Sequence, residues 1–393
     1  MAGAAAAKGD KITCLDFFFG RISMRLLLLF LLISNQAWSK VLVERVPNSG
    51  LQPQAAVDDH GVLHMIYMTG DPGASDIWYV RRKPGATAFS KALRVNSQPG
   101  SAMAIGTIRG AKMALGENNS VHIVWNGSGK ALPKELADKN PFLYSKLDTV
   151  TGKFEAQRNL ITKAYGLDGG GTVAADGKGN IYVSWASGYQ AKDEAHRKIW
   201  IAVSHDSGAT FAAEHVANQA FGACGCCGMG SSTDAAGNLY ILYRPATNNT
   251  QRGMHLLTSK DSGLSFTDEK LDDWQLNGCP MSNASFSLAS SLLGAWEKDG
   301  TVYVRGMDAL SQRQAWVPNA QGNSRFPSVA QSQNQVLVAW AEGTGWAKGG
   351  AVAWQAFDKN GKNLGSKERI EGLPAWSMPA AVAGPGADFT VIY

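Results

Sequence analysis

The sequence predicts an all-β propeller in a single exported domain, and three observations carry that prediction. A hairpin signature recurs along the chain. An eight-residue turn motif occurs twice, at matching places in the repeat. The composition, with 44 glycines and 12 tryptophans in 393 residues and only 18% charged residues, suits many short strands joined by tight turns.

The signature is a small or apolar start, a polar Gly/Asn/Asp turn, and an alternating strand that ends in an aromatic. It runs over 55–67, 111–125, 172–185 and 231–243, and more weakly over 285–296, 328–340 and 379–393. The first four copies are spaced by roughly 60 residues, a period that marks an array of supersecondary units. A second hairpin follows each of the first six, at 77–95, 142–160, 199–216, 254–271, 301–317 and 351–370. Two hairpins make one four-stranded antiparallel propeller blade. The last copy stands alone before Tyr393, and 41–46 (VLVERV) supplies a strand to close the ring there. Only 133–139 looks briefly helical.

The turn motif is Ser204-His205-Asp206-Ser207-Gly208-Ala209-Thr210-Phe211, repeated as Ser259-Lys260-Asp261-Ser262-Gly263-Leu264-Ser265-Phe266. Each copy follows a strand-like run. The Asp side chain accepts backbone N–H bonds within a tight turn, Gly adopts a conformation other residues resist, and the aromatic pins the hairpin to the core. The motif, at 204–211 and 259–266, resembles the Asp box of the sialidase-like β-propellers. That resemblance implies a six-bladed propeller; the hairpin count allows seven.

Residues 1–39 read as a signal peptide. Arg21 and Arg25 precede the apolar run 26–33, and small residues at Ala37 and Ser39 form a cleavage pattern. The run is too short to span a bilayer. A mature domain over 40–393, secreted or periplasmic and with no membrane span, is therefore expected. The net charge of +5 is spread without a Lys/Arg block, which argues against a nucleic-acid partner.

In a propeller, the loops that lead into the innermost strands open at one mouth of the central channel. Here those loops offer 107–110 (TIRG), 168–171 (DGGG), 224–229 (CGCCGM), 279–281 (CPM), 325–327 (RFP) and 376–378 (WSM). The sialidase resemblance implies a glycan or glycoconjugate ligand and, most concretely, exo-α-sialidase-type glycoside hydrolysis. Three arginines would grip a sugar carboxylate, a Tyr would act as nucleophile and an Asp as acid/base. Arg325-Phe326-Pro327 looks like the family's R-I-P triplet, and Arg109 fills the equivalent slot in the second blade. Arg244 and Arg305 are candidates for the third arginine, Asp168 for the acid/base, and Glu342 or Glu297 for the partner carboxylate. Trp376 and Trp346 are candidates for stacking on a sugar. Two departures stand against catalysis. The first-blade slot is Gln52-Pro53-Gln54, and no Tyr matches the nucleophile. The alternative is a non-catalytic exported propeller that binds a glycan or protein partner. No cofactor is expected on the leading reading.

Signal cleavage would remove Cys14 and leave Cys224, Cys226, Cys227 and Cys279. Four cysteines in an exported chain favour two disulfides, with three possible pairings. A metal or redox site is the alternative, with the four thiolates and Met281 as a soft ligand set. The histidines share no ligand spacing. The tryptophans at strand ends (Trp125, Trp185, Trp296, Trp340) read as inter-blade packing.

Overall fold

The computed structural model describes residues 1–3, 40–134, 136, 138–308, 315–318, 322–386 and 388–393. The signal-peptide reading falls on 1–39 and so lies almost entirely outside the described residues. Residues 40–393 form seven sheets, the blades of a propeller. Their innermost strands are Leu51–Val57, Lys112–Leu115, Thr172–Ala175, Gly230–Thr233, Ala284–Leu288, Ser324–Gln331 and Ala380–Ala383. Seven blades is the count that the hairpins allowed, one more than the family resemblance implied.

Blades 1 to 4 and blade 6 carry four antiparallel strands, and blade 2 adds the short strand Lys153–Phe154. Two blades differ. Blade 5 has three strands among the described residues, with a single bridge from Val304 to Trp316 in place of a fourth. Blade 7 closes the ring: Ala380–Ala383 pairs with Phe389–Ile392, and Val41–Glu44 adds to its other edge. That last pairing is parallel, with Val41 opposite Phe389 and Glu44 opposite Ile392. The chain before residue 51 thus completes the blade made by the last residues, as the lone final hairpin requires. The segment 133–139 is turn and bend among its described residues, not helix.

Each blade is buried on both faces by its neighbours, so central strands such as Val121–Asn126 and Ile181–Ser187 are buried at every position. Trp125, Trp185, Trp296 and Trp340 are each at most 1% exposed and lie in the inter-blade clusters; Tyr67 and Tyr243 take the same place in blades 1 and 4. A buried aromatic of this size contributes on the order of 2–3 kcal/mol through apolar area alone. The polar turns of the signature are closed by their Asp. Asp58 Oδ1 accepts the backbone N–H groups of His60 and Val62, and Asp176 Oδ1 those of Lys178 and Asn180.

The two Asp boxes share one geometry. Asp206 accepts from the Thr210 N–H at 2.8 Å and the Thr210 hydroxyl at 2.6 Å; Asp261 accepts from the Ser265 N–H at 2.9 Å and the Ser265 hydroxyl. Ser207 and Ser262 take φ of 55° and 57°, and the following glycines 80° and 86°. Phe211 packs edge-on against Tyr144 of the preceding blade, with ring centroids 5.0 Å apart. The boxes sit in the turns between the third and fourth strands, on the face opposite the mouth, and take no part in a site there.

Candidate functional site at the mouth

Chain direction puts two sets of loops on one face: those that lead into the innermost strands and those that join the second and third strands. Five of the first set hold a non-glycine residue in the left-handed region: Gln52, Thr107, Met281, Phe326 and Trp376, with φ of 51–57°. Each such residue costs on the order of 1 kcal/mol or more, and such strain concentrates at functional sites. In blades 1 and 6 the strained residue precedes a proline and produces a bulge, between Leu51 and Gln54 and between Arg325 and Ser328. Leu51 therefore stands where blade 6 presents Arg325.

These loops converge over the channel axis and close it. Ile108 is fully buried and belongs to one apolar cluster with Phe326, Met378 and Tyr393, from blades 6 and 7. Asn283 donates to the Thr107 carbonyl at 3.2 Å, tying the blade-5 loop to the blade-2 loop. Beneath this stopper lies a channel of about 370 Å³, lined by all seven innermost strands. Lys112 is the one charged residue in its wall, and burial lowers its ammonium pKa to about 8.

Of the residues singled out from sequence, Arg109 and Asp168 do meet. The Arg109 guanidinium donates to the Asp168 backbone carbonyl at 3.0 Å and to its carboxylate at 3.2 Å. The other carboxylate oxygen accepts from Arg197 at 3.0 Å. Glu194 lies 3.6 Å from Arg197, accepts from Arg252 at 2.6 Å, and accepts from the Gly225 N–H at 2.9 Å. Glu194, Arg197 and Arg252 escaped the sequence reading because they lie in loops between second and third strands. Their signal was position alone: each sits within a few residues of a third strand (Lys198–Ser204 or His255–Ser259). Gly225 is required for this approach, since a Cβ there would stand 1.4 Å from Arg197 Nη1.

The other proposed arginines are engaged with protein groups. Arg325 donates to the Pro280 carbonyl and stacks over the Phe326 ring. Arg244 is 2% exposed and is held by the Ser282 hydroxyl and by the carbonyls of Arg252 and Glu297. Arg305 lies away from the mouth loops, on an outer strand, paired to Glu269 at 2.8 Å. Of the two carboxylate candidates, Glu342 is bound to Trp340, Lys367 and Arg369. Burial would raise its pKa, but these bonds hold it below the usual carboxylate range. Glu297 is 2% exposed; burial pushes its pKa up against the pull of Arg244 and Arg325. Trp376 is half-buried with its Nε1 unpartnered, whereas Trp346 is 54% exposed. A Cβ on Gly106 would lie 3.0 Å from both the Trp346 ring and Arg109 Nη1, so indole and guanidinium share one small patch of the rim.

No S–S bond joins Cys224, Cys226, Cys227 and Cys279 in the structure. Cys224 Sγ lies 3.1 Å from Cys227 Sγ and 3.5 Å from Cys226 Sγ, well beyond the S–S bond length of about 2.05 Å. Cys279 is exposed and stands outside this sulfur group. Burial disfavours a charge on Cys227, but hydrogen bonds from Cys224 and Cys226 and the Arg244 charge override it and hold this thiol well below its ordinary range.

No protein-family model matches the chain, and no curated protein does. Solved structures match it in fold. An α-L-arabinofuranosidase from Fusarium graminearum in complex with an iminosugar inhibitor superposes with a TM-score of 0.53 at 11% identity, covering 82% of this chain and 98% of that one. An α-L-arabinanase from Penicillium chrysogenum complexed with arabinobiose gives 0.51 at 11% identity, with the same coverage. A protein of unknown function from Dyadobacter fermentans gives 0.50 at 16% identity, over 77% of this chain and 93% of that one. Sialidases are among the further matches. The chain has the sialidase-like β-propeller fold, with seven blades. At these identities the likeness is one of fold.

Proposed function

We propose that this protein is an exported glycan-binding propeller whose contact surface is the rim patch of Trp346, Arg109 and Asp168. The observation that carries the reading is the junction at Gly106, where an exposed indole and a guanidinium lie side by side. An aromatic face stacks on the apolar face of a sugar ring, while Arg donates to its hydroxyl oxygens and a half-exposed carboxylate accepts from its hydroxyl groups. Sialidase-type turnover is disfavoured by three features. The axis is stopped by Ile108, Arg325 and Arg244 are already engaged by protein groups, and the tyrosine that ends the second strand of blade 4 is tied up. That residue, Tyr243, is buried and bound to Asp268 at 2.6 Å.

A glycan-array screen followed by calorimetry on the purified domain tests this. Binding to a defined oligosaccharide, lost by Trp346→Ala and by Arg109→Ala without a change in thermal stability, is the expected outcome. Release of free sugar from a sialoside panel, or binding indifferent to Trp346→Ala, would refute it.

A further inference from the structure

The Cys224-Gly225-Cys226-Cys227 turn has properties that glycan binding does not use. Its three sulfurs lie within 4.8 Å of one another, and no histidine or carboxylate belongs to the group among the described residues. Cys224 and Cys227 are each 3% exposed, and Cys226 is half-buried. The backbone that carries them is tied down on all sides. The Cys224 N–H donates to the Arg244 carbonyl at 3.0 Å, the Gly225 N–H to Glu194, and the Gly228 N–H to the Ser282 carbonyl at 2.9 Å, while the Cys227 carbonyl accepts from Gly170 at 3.3 Å. A ligand set held this way is preorganised.

The surrounding charge is positive. Arg244 acts on Cys227, and Arg252 on Cys224 and Cys226. Arg252 is 3% exposed, yet its Nε and Nη1 have no hydrogen-bond partner. Buried guanidinium N–H groups left free beside thiols are suited to a site that carries net negative charge, as a cluster of thiolates does.

We propose that Cys224, Cys226 and Cys227 form a three-coordinate site for a soft monovalent cation, copper(I). Metal–sulfur bonds of about 2.3 Å in a trigonal plane need sulfurs about 4 Å apart; here two of the pairs stand at 3.1 and 3.5 Å and all three sulfurs lie within 4.8 Å, so a small outward turn of the side chains seats the ion. Soft thiolates select copper(I) or zinc. A structural zinc site takes four protein ligands, and here there are three. Binding exchanges thiol protons for the ion, so up to three protons pass to bulk water per copper bound. The charge of the resulting anionic centre is met by Arg244 and Arg252.

Anaerobic titration of the reduced, full-length exported domain with copper(I) held by a chromogenic chelator tests the site. One equivalent should leave the chelator, with a near-ultraviolet thiolate-to-copper absorption band and proton release that grows as pH falls. Cys226→Ser, at the most accessible ligand, should weaken binding by more than about a hundredfold, the upper range for losing even an outer-shell partner, and keep the thermal midpoint near wild type. Cys279→Ser should bind as wild type does. Three results would overturn the proposal: reduced, folded wild-type protein that takes no copper; one equivalent of zinc that copper(I) does not displace; or a freshly purified chain two hydrogens lighter than the reduced form, with the bond mapped within 224–227.

Discussion

The carbonyl oxygen of Ile108 lies 1.7 Å from where a Cβ on Gly170 would stand. A blade-2 loop and a blade-3 loop are thus in backbone contact over the channel, with no room for even one methyl group. Gly228 is as confined, its would-be Cβ 1.6 Å from the Asn283 side-chain oxygen. The obstructing atom at Gly170 is backbone, so Gly170→Ala should cost at least 1–3 kcal/mol. Gly228→Ala should cost less, because Asn283 can turn away. Thermal unfolding of the two variants side by side checks the order. Equal midpoints would mean that the stopper is loosely held.

Lys112 gives the channel a measurable signature. Its ammonium is penalised by burial, which lowers the folded-state pKa to about 8 from the ordinary 10.5. Between these values the unfolded chain binds more protons, so this residue makes stability rise as pH goes from 8 to 10.5. Below pH 8 the full cost of the buried charge is present. Lys112→Met should therefore stabilise the domain at pH 7 by on the order of 2–3 kcal/mol and flatten the alkaline limb of its stability curve. Urea unfolding at pH 7 and pH 10 measures both.

The Asp boxes predict the acid limb. Asp261 is held down to about 2 by the Ser265 hydroxyl, the Ser265 N–H and the Ser259 hydroxyl, and Asp206 is lowered in the same way. A depressed carboxylate contributes stability above its unfolded pKa and loses it as pH falls through the folded value. The contribution of Asp261 should be intact above about pH 4 and fade towards pH 2. Asp261→Asn should lower the melting temperature at pH 7, and the gap from wild type should narrow as the pH is taken down. A gap constant with pH would assign the loss to geometry alone.

Thiol chemistry should follow exposure. Cys279 is exposed, while Cys224 and Cys227 are buried. Limiting iodoacetamide on the native chain should modify Cys279 first, Cys226 next, and the other two only on unfolding. Peptide mapping by mass spectrometry gives the order. Early labelling of Cys227 would mean that its turn opens readily.

Much of the architecture was legible from the chain. The aromatic at each second-strand end, the Asp in each first turn and the two boxes are local devices, and local devices leave residue patterns. The candidate site was legible only in part. Arg109 and Asp168 could be placed in neighbouring mouth loops from sequence, though not their pairing, and Glu194, Arg197 and Arg252 come from loops without a repeating pattern. Nothing in the residues Arg244 or Arg325 announces that backbone carbonyls engage them. Nor does 107–110 reveal that Ile108 would fill the axis. The parallel addition of Val41–Glu44 and the bulges at Gln52 and Phe326 depend on contacts far apart in sequence, where periodicity is silent.

The seventh blade has a consequence for how the molecule is made. Its two contributions are separated by 348 residues, measured at the bond from the Lys40 N–H to Asp388, and the Val46 N–H closes on the carbonyl of Tyr393. Blades 1 to 6 are each assembled from neighbouring segments and can form as the chain emerges. The seam cannot be sewn until residues 388–393 are available, and closing so long a loop is slow. Until that moment the nascent ring stays open, with the flanks of blades 1 and 6 bare to solvent. A growing chain would spend that interval as an arc, vulnerable to proteases and to pairing with the wrong edge.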